Sequence, residues 1–288
     1  MRCIPSLLIL PFLIVGFACE QALQEEEATS PLRVMSYNIR YNNPGDGEHA
    51  WPHRAGRVAS TILFNNADLI GVQEALKEQM DTLLTLLPGY KWIGVGRDDG
   101  QEAGEYSAIF YKSDRFEIID SGTFWLSKNP SIPGSKDWDA ALTRIATWGH
   151  FKDIQADTSI FHFNTHFDHR GEEAREKSAA LIAQRATREA GQYPLVVTGD
   201  FNFTESATGY SALTSKLTDT FYATTTPRHG PDDTIYGGFE VTHEPGRRID
   251  YIFVNEHLEV LQYANLSDNW NGAYSSDHLA VISTIQIK

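Results

Sequence analysis

Eight side chains in this chain could do chemistry together: Asn38, Glu74, His166, Asp200, Asn202, Asp250, Asp277 and His278. The acids and amides offer hard oxygen ligands, which suit Mg2+ or Mn2+. His278, beside Asp277, is a candidate for proton transfer. The two cysteines, Cys3 and Cys19, both lie near the start, so no thiolate cluster is available for a structural zinc site. Each candidate sits in a short motif: Ser36-Tyr37-Asn38-Ile39-Arg40, Gly71-Val72-Gln73-Glu74, Asn164-Thr165-His166, Thr198-Gly199-Asp200-Phe201-Asn202, Arg248-Ile249-Asp250 and Ser275-Ser276-Asp277-His278. Taken singly, an Asp or Asn after an apolar run is a turn or cap residue.

The elements that must position them are strands with fewer helices. Apolar runs predict strands over 33–37, 68–73, 91–95, 107–111, 143–150, 160–165, 195–198, 249–254 and 279–287. Helical patterns lie between some of them, at 54–66, 76–87 and 172–189, the last placing Ala174, Ala179, Leu181 and Ile182 among charges. Many strands with few helices predict packed sheets with outer helices rather than strict βα alternation. The candidate residues fall at strand ends, where a rigid scaffold presents functional groups.

In this order and on strand ends, the motifs resemble the endonuclease/exonuclease/phosphatase superfamily, the relatives of pancreatic-type deoxyribonuclease, AP endonucleases, neutral sphingomyelinases and inositol polyphosphate phosphatases. The resemblance runs from about residue 33 to the last strand. It implies an α/β fold, a four-layer sandwich with two central, mostly antiparallel sheets flanked by helices. It also implies a metal-dependent phosphoesterase in which water attacks phosphorus in line, with Mg2+, or Mn2+ in its place, as cofactor. Glu74 matches the family's metal-binding glutamate. Asn38 would complete that site or hold phosphate, while Asp200, Asn202 and Asp277 would line the other side, binding a second ion or positioning the nucleophile. By family position Asp250 would hydrogen-bond His278 and favour its protonated form, the pair activating the water.

His166 matches the second family histidine, which contacts phosphate or aids the leaving oxygen. Glu105 falls where deoxyribonuclease-like members carry its acid partner, with Tyr106 as the alternative. Arg144 resembles a phosphate-contacting arginine on a strand, and Arg40 would act likewise; a surface salt bridge is the plain reading of each. Asp168 and His169 either add a ligand or a hydroxyl contact, or cap the helix from Glu172. His162, His166, Asp168 and His169 loosely suggest a zinc hydrolase, but Asn164 stands where that motif needs histidine, and His162 alternates with Phe161 and Phe163 as a strand residue does. Trp51, Trp125 and Trp138 are candidates for stacking on a sugar or base, or are simply packed aromatics.

The 288 residues fit one large α/β domain or two small ones, and 41% hydrophobic content is too apolar for a disordered chain. With 24 Lys+Arg against 38 Asp+Glu, the formal net charge of −14 speaks against a broad basic nucleic-acid groove. Arg2 and the apolar run 4–17 read as a signal sequence. Cys19 after Ala18 resembles a lipoprotein processing site, although Gly16 departs from it, and a plain signal peptide is the alternative. The expected organisation is a signal peptide at 1–18, an acidic tether at 19–30 with Glu25-Glu26-Glu27, and a catalytic domain at 31–288. That places the protein outside the cytoplasm, in a bacterial envelope or secreted, with Cys19 as its only membrane attachment. The expected substrate is a small, glycan-linked or lipid-linked phosphoester. A secreted Mg-dependent nuclease is the alternative, and a non-catalytic surface-binding lipoprotein the remote one.

Overall fold

The computed structural model describes residues 30–288. The expected signal peptide and all of the expected tether except Ser30 lie outside the described residues. In chain order the elements are β1 (Leu32–Asn38), α1 (Trp51–Phe64), β2 (Leu69–Ala75), α2 (Lys77–Leu86), β3 (Tyr90–Ile93), β4 (Tyr106–Lys112), β5 (Phe116–Trp125), β6 (Ile145–Asp153), β7 (Thr158–His166) and α3 (Glu172–Ala190). Then follow β8 (Leu195–Asp200), α4 (Thr208–Thr214), β9 (Thr218–Asp219), α5 (Thr220–Ala223), β10 (Asp250–Val254), β11 (Leu258–Leu266), β12 (Asn269–Trp270), β13 (Ala273–Tyr274) and β14 (Ala280–Ile287). Among the described residues, no helix is long and apolar enough to cross a membrane.

Local chemistry sets the boundaries. Pro52 in the first turn of α1 loses no helical hydrogen bond, and the helix stops at Asn65 and Asn66, the latter left-handed at φ 51°. Glu172 and Glu173 open α3 at the positive end of its dipole, and Gly191 at φ 55° closes it. Neither β5 nor β11 is predicted from apolar runs. Half of β5 is exposed, because it is an edge strand, so alternation there is weak.

Two six-stranded sheets form the centre, ordered β11-β14-β1-β2-β4-β3 and β5-β6-β7-β8-β10-β9. Only β1–β2 and β7–β8 pair in parallel, and every other pairing in these sheets is antiparallel. One core cluster joins α1 and α2 to the first sheet, a second joins α3 and α4 to the other, and a third lies between the sheets. The result is the expected four-layer sandwich.

Both parallel pairs close a strand–helix–strand crossover, through α1 and α3. Their strands therefore end on one edge of the sandwich, carrying Asn38, Glu74, His166 and Asp200 to the same place. Ligand sites of α/β sheets form outside such carboxyl ends.

Candidate active site

On the inner faces the side chains run in tiers. Val34, Leu69, Ile160, Val196 and Ile252 are among the apolar side chains packed between the sheets. Further along, by the two-residue period of a strand, come Ser36, two residues after Val34, Thr198, two after Val196, and Asn164, the register partner of Thr198. Next come Asn38, His166 and Asp200 and, at the head of its antiparallel strand opposite Asp200, Asp250.

Glu74 joins them by an irregularity. Ile70 and Val72 face the helices, and strict alternation would send Glu74 the same way. The register slips between Val72 and Ala75, and Glu74 takes φ 66°. A bulge of this kind re-aims a side chain at the cost of local strain. Arg40 at φ 57° and Asn202 at φ 52° turn the chain sharply after β1 and β8.

Asn38 is central. Its Nδ2 donates to Glu74 Oε1 and to Asp200 Oδ2, each at 3.0 Å, and its Oδ1 accepts the Arg40 N–H at 3.0 Å. The amide thus spaces two acids from different sheets, and its carbonyl oxygen is already engaged. Asp200 Oδ1 accepts the Asn202 N–H at 2.9 Å, while the Asn202 amide donates to the Phe167 carbonyl at 3.0 Å. Asp200 and Asp250 are register partners on β8 and β10. Burial and the Asp250 charge push the Asp200 carboxyl up to about 7.

His278 Nδ1 donates to Asp250 Oδ2 at 2.9 Å, and its Nε2 lies 3.8 Å from Asp200 Oδ2. Burial works against its charge, but Asp250 and Asp200 outweigh that and hold the imidazole well above its usual range. His166 has the opposite bias. Its Nε2 lies 3.4 Å from Asp200 Oδ2 and its Nδ1 3.9 Å from Glu105 Oε2. Burial, then Arg144 and Arg97, hold it well below the usual range.

Beyond His166, Arg97 Nη1 donates to Glu105 at 2.6 Å. Burial raises the Glu105 carboxyl and Arg97 opposes that rise. Arg144 is 5% exposed, and its Nη1 stands 3.9 Å from Glu105. Arg97 Nε, Arg144 Nε, Arg144 Nη1 and His166 Nδ1 are all buried without a hydrogen-bond partner. Together with Tyr106, Ser107 and Ile145 these residues line a narrow crevice. A group of unanswered donors invites an anionic oxygen.

Other candidates settle into plainer roles. Asp168 accepts the N–H groups of Arg170 at 2.9 Å, Gly171 at 2.7 Å and Leu142 at 2.9 Å, so it ties the entry of α3 to a neighbouring loop. His169 takes a 3.3 Å contact from Arg144 Nη2. His162 is wholly buried, bonded to Thr198 Oγ1 at 2.8 Å, and burial lowers it to about 3. Trp51 and Trp125 are buried, and Trp125 Nε1 donates to the Arg97 carbonyl at 2.7 Å; Trp138 is half-buried. Arg40 pairs with Asp46 at 3.1 Å and leans toward Asp277 at 3.7 Å. Burial, then Glu74, raises the Asp277 carboxyl, with His278 and Arg40 opposing.

Sequence reasoning passed over two residues. Thr234, in the irregular stretch before β10, donates its hydroxyl to Asp250 Oδ2 at 2.6 Å and accepts the N–H groups of Ile249 and Asp250. No strand or motif marks it. Arg54 is buried in α1, where its guanidinium donates to the carbonyls of Ile39, Arg40 (2.6 Å), His49 (2.8 Å) and Ser275 (3.3 Å). It pins the turn after Asn38 to the segment before Asp277.

A family model described as "Endonuclease/Exonuclease/phosphatase family" matches residues 35–278. The crystal structure of an endonuclease/exonuclease/phosphatase from Bacteroides vulgatus is 38% identical, with TM-score 0.85, over 90% of this chain and all of that one. A mannosyl-6-phosphatase from Bacteroides thetaiotaomicron is 36% identical, with TM-score 0.84, over 88% of this chain and 99% of that one. An uncharacterized protein of Acanthamoeba polyphaga mimivirus is 25% identical over 247 residues, 72% of this chain, and the match spans only 36% of that protein's length.

Proposed function

Because the chain belongs to the endonuclease/exonuclease/phosphatase family and is thereby a hydrolase of phosphoric ester bonds, we propose that it is a divalent-metal-dependent phosphoesterase acting on a sugar phosphate, free or glycan-linked. One juxtaposition carries the reading. Two acids, Glu74 and Asp200, share the Asn38 amide, and across His166 lies a crevice lined by buried donors with no hydrogen-bond partner. The first half suits a cation and the second an anion, as a metal-bound phosphate requires. The 36% identity to a mannosyl-6-phosphatase supports the sugar.

The donor set fits Mg2+ or Mn2+. Glu74, His166 and Asp200 bring ligand atoms within 4.8 Å of one another, and the raised carboxyls of Asp200 and Asp277 mark buried negative charge that a cation would offset. Glu74 and Asp200 would hold it, with Asp277 beside Glu74. When bound, the ion offsets charge building on the phosphoryl oxygens.

The chain's own groups divide the remaining work. Arg144 and Arg97 turn their free N–H groups to the phosphoryl oxygens, and His166, kept neutral, adds a contact without repelling the arginines. His278 is held protonated by Asp250, so it assists as a fixed positive donor at Nε2. Asp200 Oδ2 lies 3.8 Å from that donor, so the imidazolium stands beside the carboxylate proposed to hold the ion. Asn202, through its backbone N–H, fixes which Asp200 oxygen remains available. Arg40 steadies Asp277.

We assign the protein to the outside of the cytoplasm, supported by the apolar leader and Cys19. The test of function is a panel of sugar phosphates, inositol phosphates, phospholipids and plasmid DNA, each with Mg2+ and Mn2+. The highest kcat/KM is expected on a sugar phosphate. Nicking of DNA with no sugar phosphate hydrolysed would replace this reading with the nuclease.

A further inference from the structure

Glu74 and Asn38 stand on one sheet, and His166, Asp200 and Asp250 on the other. Some feature must fix how the sheets sit against each other. The apolar side chains between them supply attraction but little direction, because hydrophobic contact is not directional. Hydrogen bonds are.

Directly beneath the site lies a buried polar tier of Ser36, Gln73, Asn164 and Thr198, each at 0% exposure. Asn164 on β7 is its hub. Its Nδ2 crosses to the other sheet and donates to the backbone carbonyls of Val72 (2.9 Å) and Ala108 (2.8 Å). Its Oδ1 accepts from Gln73 Nε2, also across the sheets, at 2.7 Å and from Thr198 Oγ1 within its own sheet at 3.0 Å. Gln73 in turn donates to Ser36 Oγ at 3.2 Å. Both ends of the amide are therefore used, and three of its four bonds join different sheets.

The sequence leaves space for this contact. A Cβ on Gly71 would collide with Thr198 Oγ1 and the Asn164 amide, so glycine is what lets the hub approach β2. Val72 and Gln73 immediately precede Glu74, Asn164 lies two residues before His166, and Thr198 two before Asp200. Each of these four residues lies within two positions of a residue of the site.

We infer that Asn164 is a positioning residue whose amide sets the sheet-to-sheet register, and with it the separation of Glu74 and Asp200. This rests on the reading that those two acids share one cation. It assigns to Asn164 a role distinct from that of the neighbouring His166, since Asn164 touches none of the acids.

The experiment measures Mn2+ binding by calorimetry, with metal-free melting alongside, for the wild-type chain and the variants Asn164→Ala, Thr198→Val and Thr198→Ser. Thr198→Val keeps the side-chain shape but removes the one bond that ties the Asn164 carbonyl oxygen to its own sheet, together with the His162 contact, whereas Thr198→Ser keeps the hydroxyl. Ten- to a hundred-fold weaker binding is expected for Asn164→Ala, in the range of lost supporting contacts at metal sites. Several-fold weaker binding is expected for Thr198→Val, and wild-type binding for Thr198→Ser. A purely structural role would lower the melting temperature and leave Mn2+ affinity alone, and that result overturns the inference. If Asn164→Ala does not fold, the Thr198 pair decides, because equal affinities for valine and serine count against it. A wild-type chain that binds no Mn2+ removes the shared-cation reading and the inference with it.

Discussion

Asp200 and Asp250 face each other across adjacent strands, register partners on β8 and β10, with the His278 imidazole 2.9 Å from one and 3.8 Å from the other. Two buried acids around one imidazole cannot share its charge equally. Asp250 takes the hydrogen bond and keeps His278 protonated, while Asp200 is left with a raised carboxyl. The asymmetry separates the acid that holds the imidazolium from the acid that faces the cation site.

Removing either member of that pairing should end the reaction without ending the fold. For His278→Ala and Asp200→Ala, kcat on the best substrate of the panel is expected to fall at least ~100-fold, the scale of a lost proton-transfer group, with circular dichroism unchanged. Full activity in both variants would sink the assignment.

Thr234 predicts a subtler effect. Its hydroxyl fixes the Asp250 oxygen that faces His278, so Thr234→Val should lower kcat by about ten-fold, roughly 1.4 kcal/mol of barrier, while KM changes little. Thr234→Ser should restore most of the loss. If valine and serine behave alike, the hydroxyl has no part in orienting the pair.

These residues differ in how visible they are before folding. Asn38, His166 and Asp200 follow strand-like, largely apolar stretches, so the sequence pattern places them at strand ends. Glu74 was legible as the end of its run, yet its direction was not, because a register slip and a positive φ override the alternation. Thr234 and Arg54 act through contacts 16 and 15 residues away in sequence, and through others farther off. Nothing in their own surroundings announces that. The strand β11 was missed although it pairs along most of β14. Its run Leu258-Glu259-Val260-Leu261-Gln262 breaks alternation where the register shifts between Val260 and Gln262.

Glu74 gives the metal prediction. Its two oxygens receive Asn38 Nδ2 at 3.0 Å and the Tyr41 N–H at 3.2 Å, so it is held in place before any ion arrives. Glu74→Gln keeps the shape and removes one negative charge. The Mg2+ concentration for half-maximal activity should rise by about 10–100-fold. An unchanged Mg2+ dependence would show that the charge of Glu74 is not what holds the ion.

Asp168 links the site's scaffold to pH. Burial would raise its carboxyl, but the N–H groups of Gly171, Leu142 and Arg170 more than compensate and hold it at about 2, against 3.8 for an ordinary aspartate. A carboxyl depressed on folding favours the folded state above its unfolded value and loses that benefit as pH falls through the folded one. The contribution is therefore complete above about pH 4–5, declines from there toward pH 2, and amounts to about 1–2 kcal/mol once solvent screening is allowed for. Asp168→Asn keeps an oxygen acceptor but not the charge. In urea titrations it should be less stable than wild type at pH 7 by about that amount, with the gap closing between pH 4 and pH 2. A gap that stays constant over this range would mean that Asp168 holds the turn by shape and neutral hydrogen bonds alone.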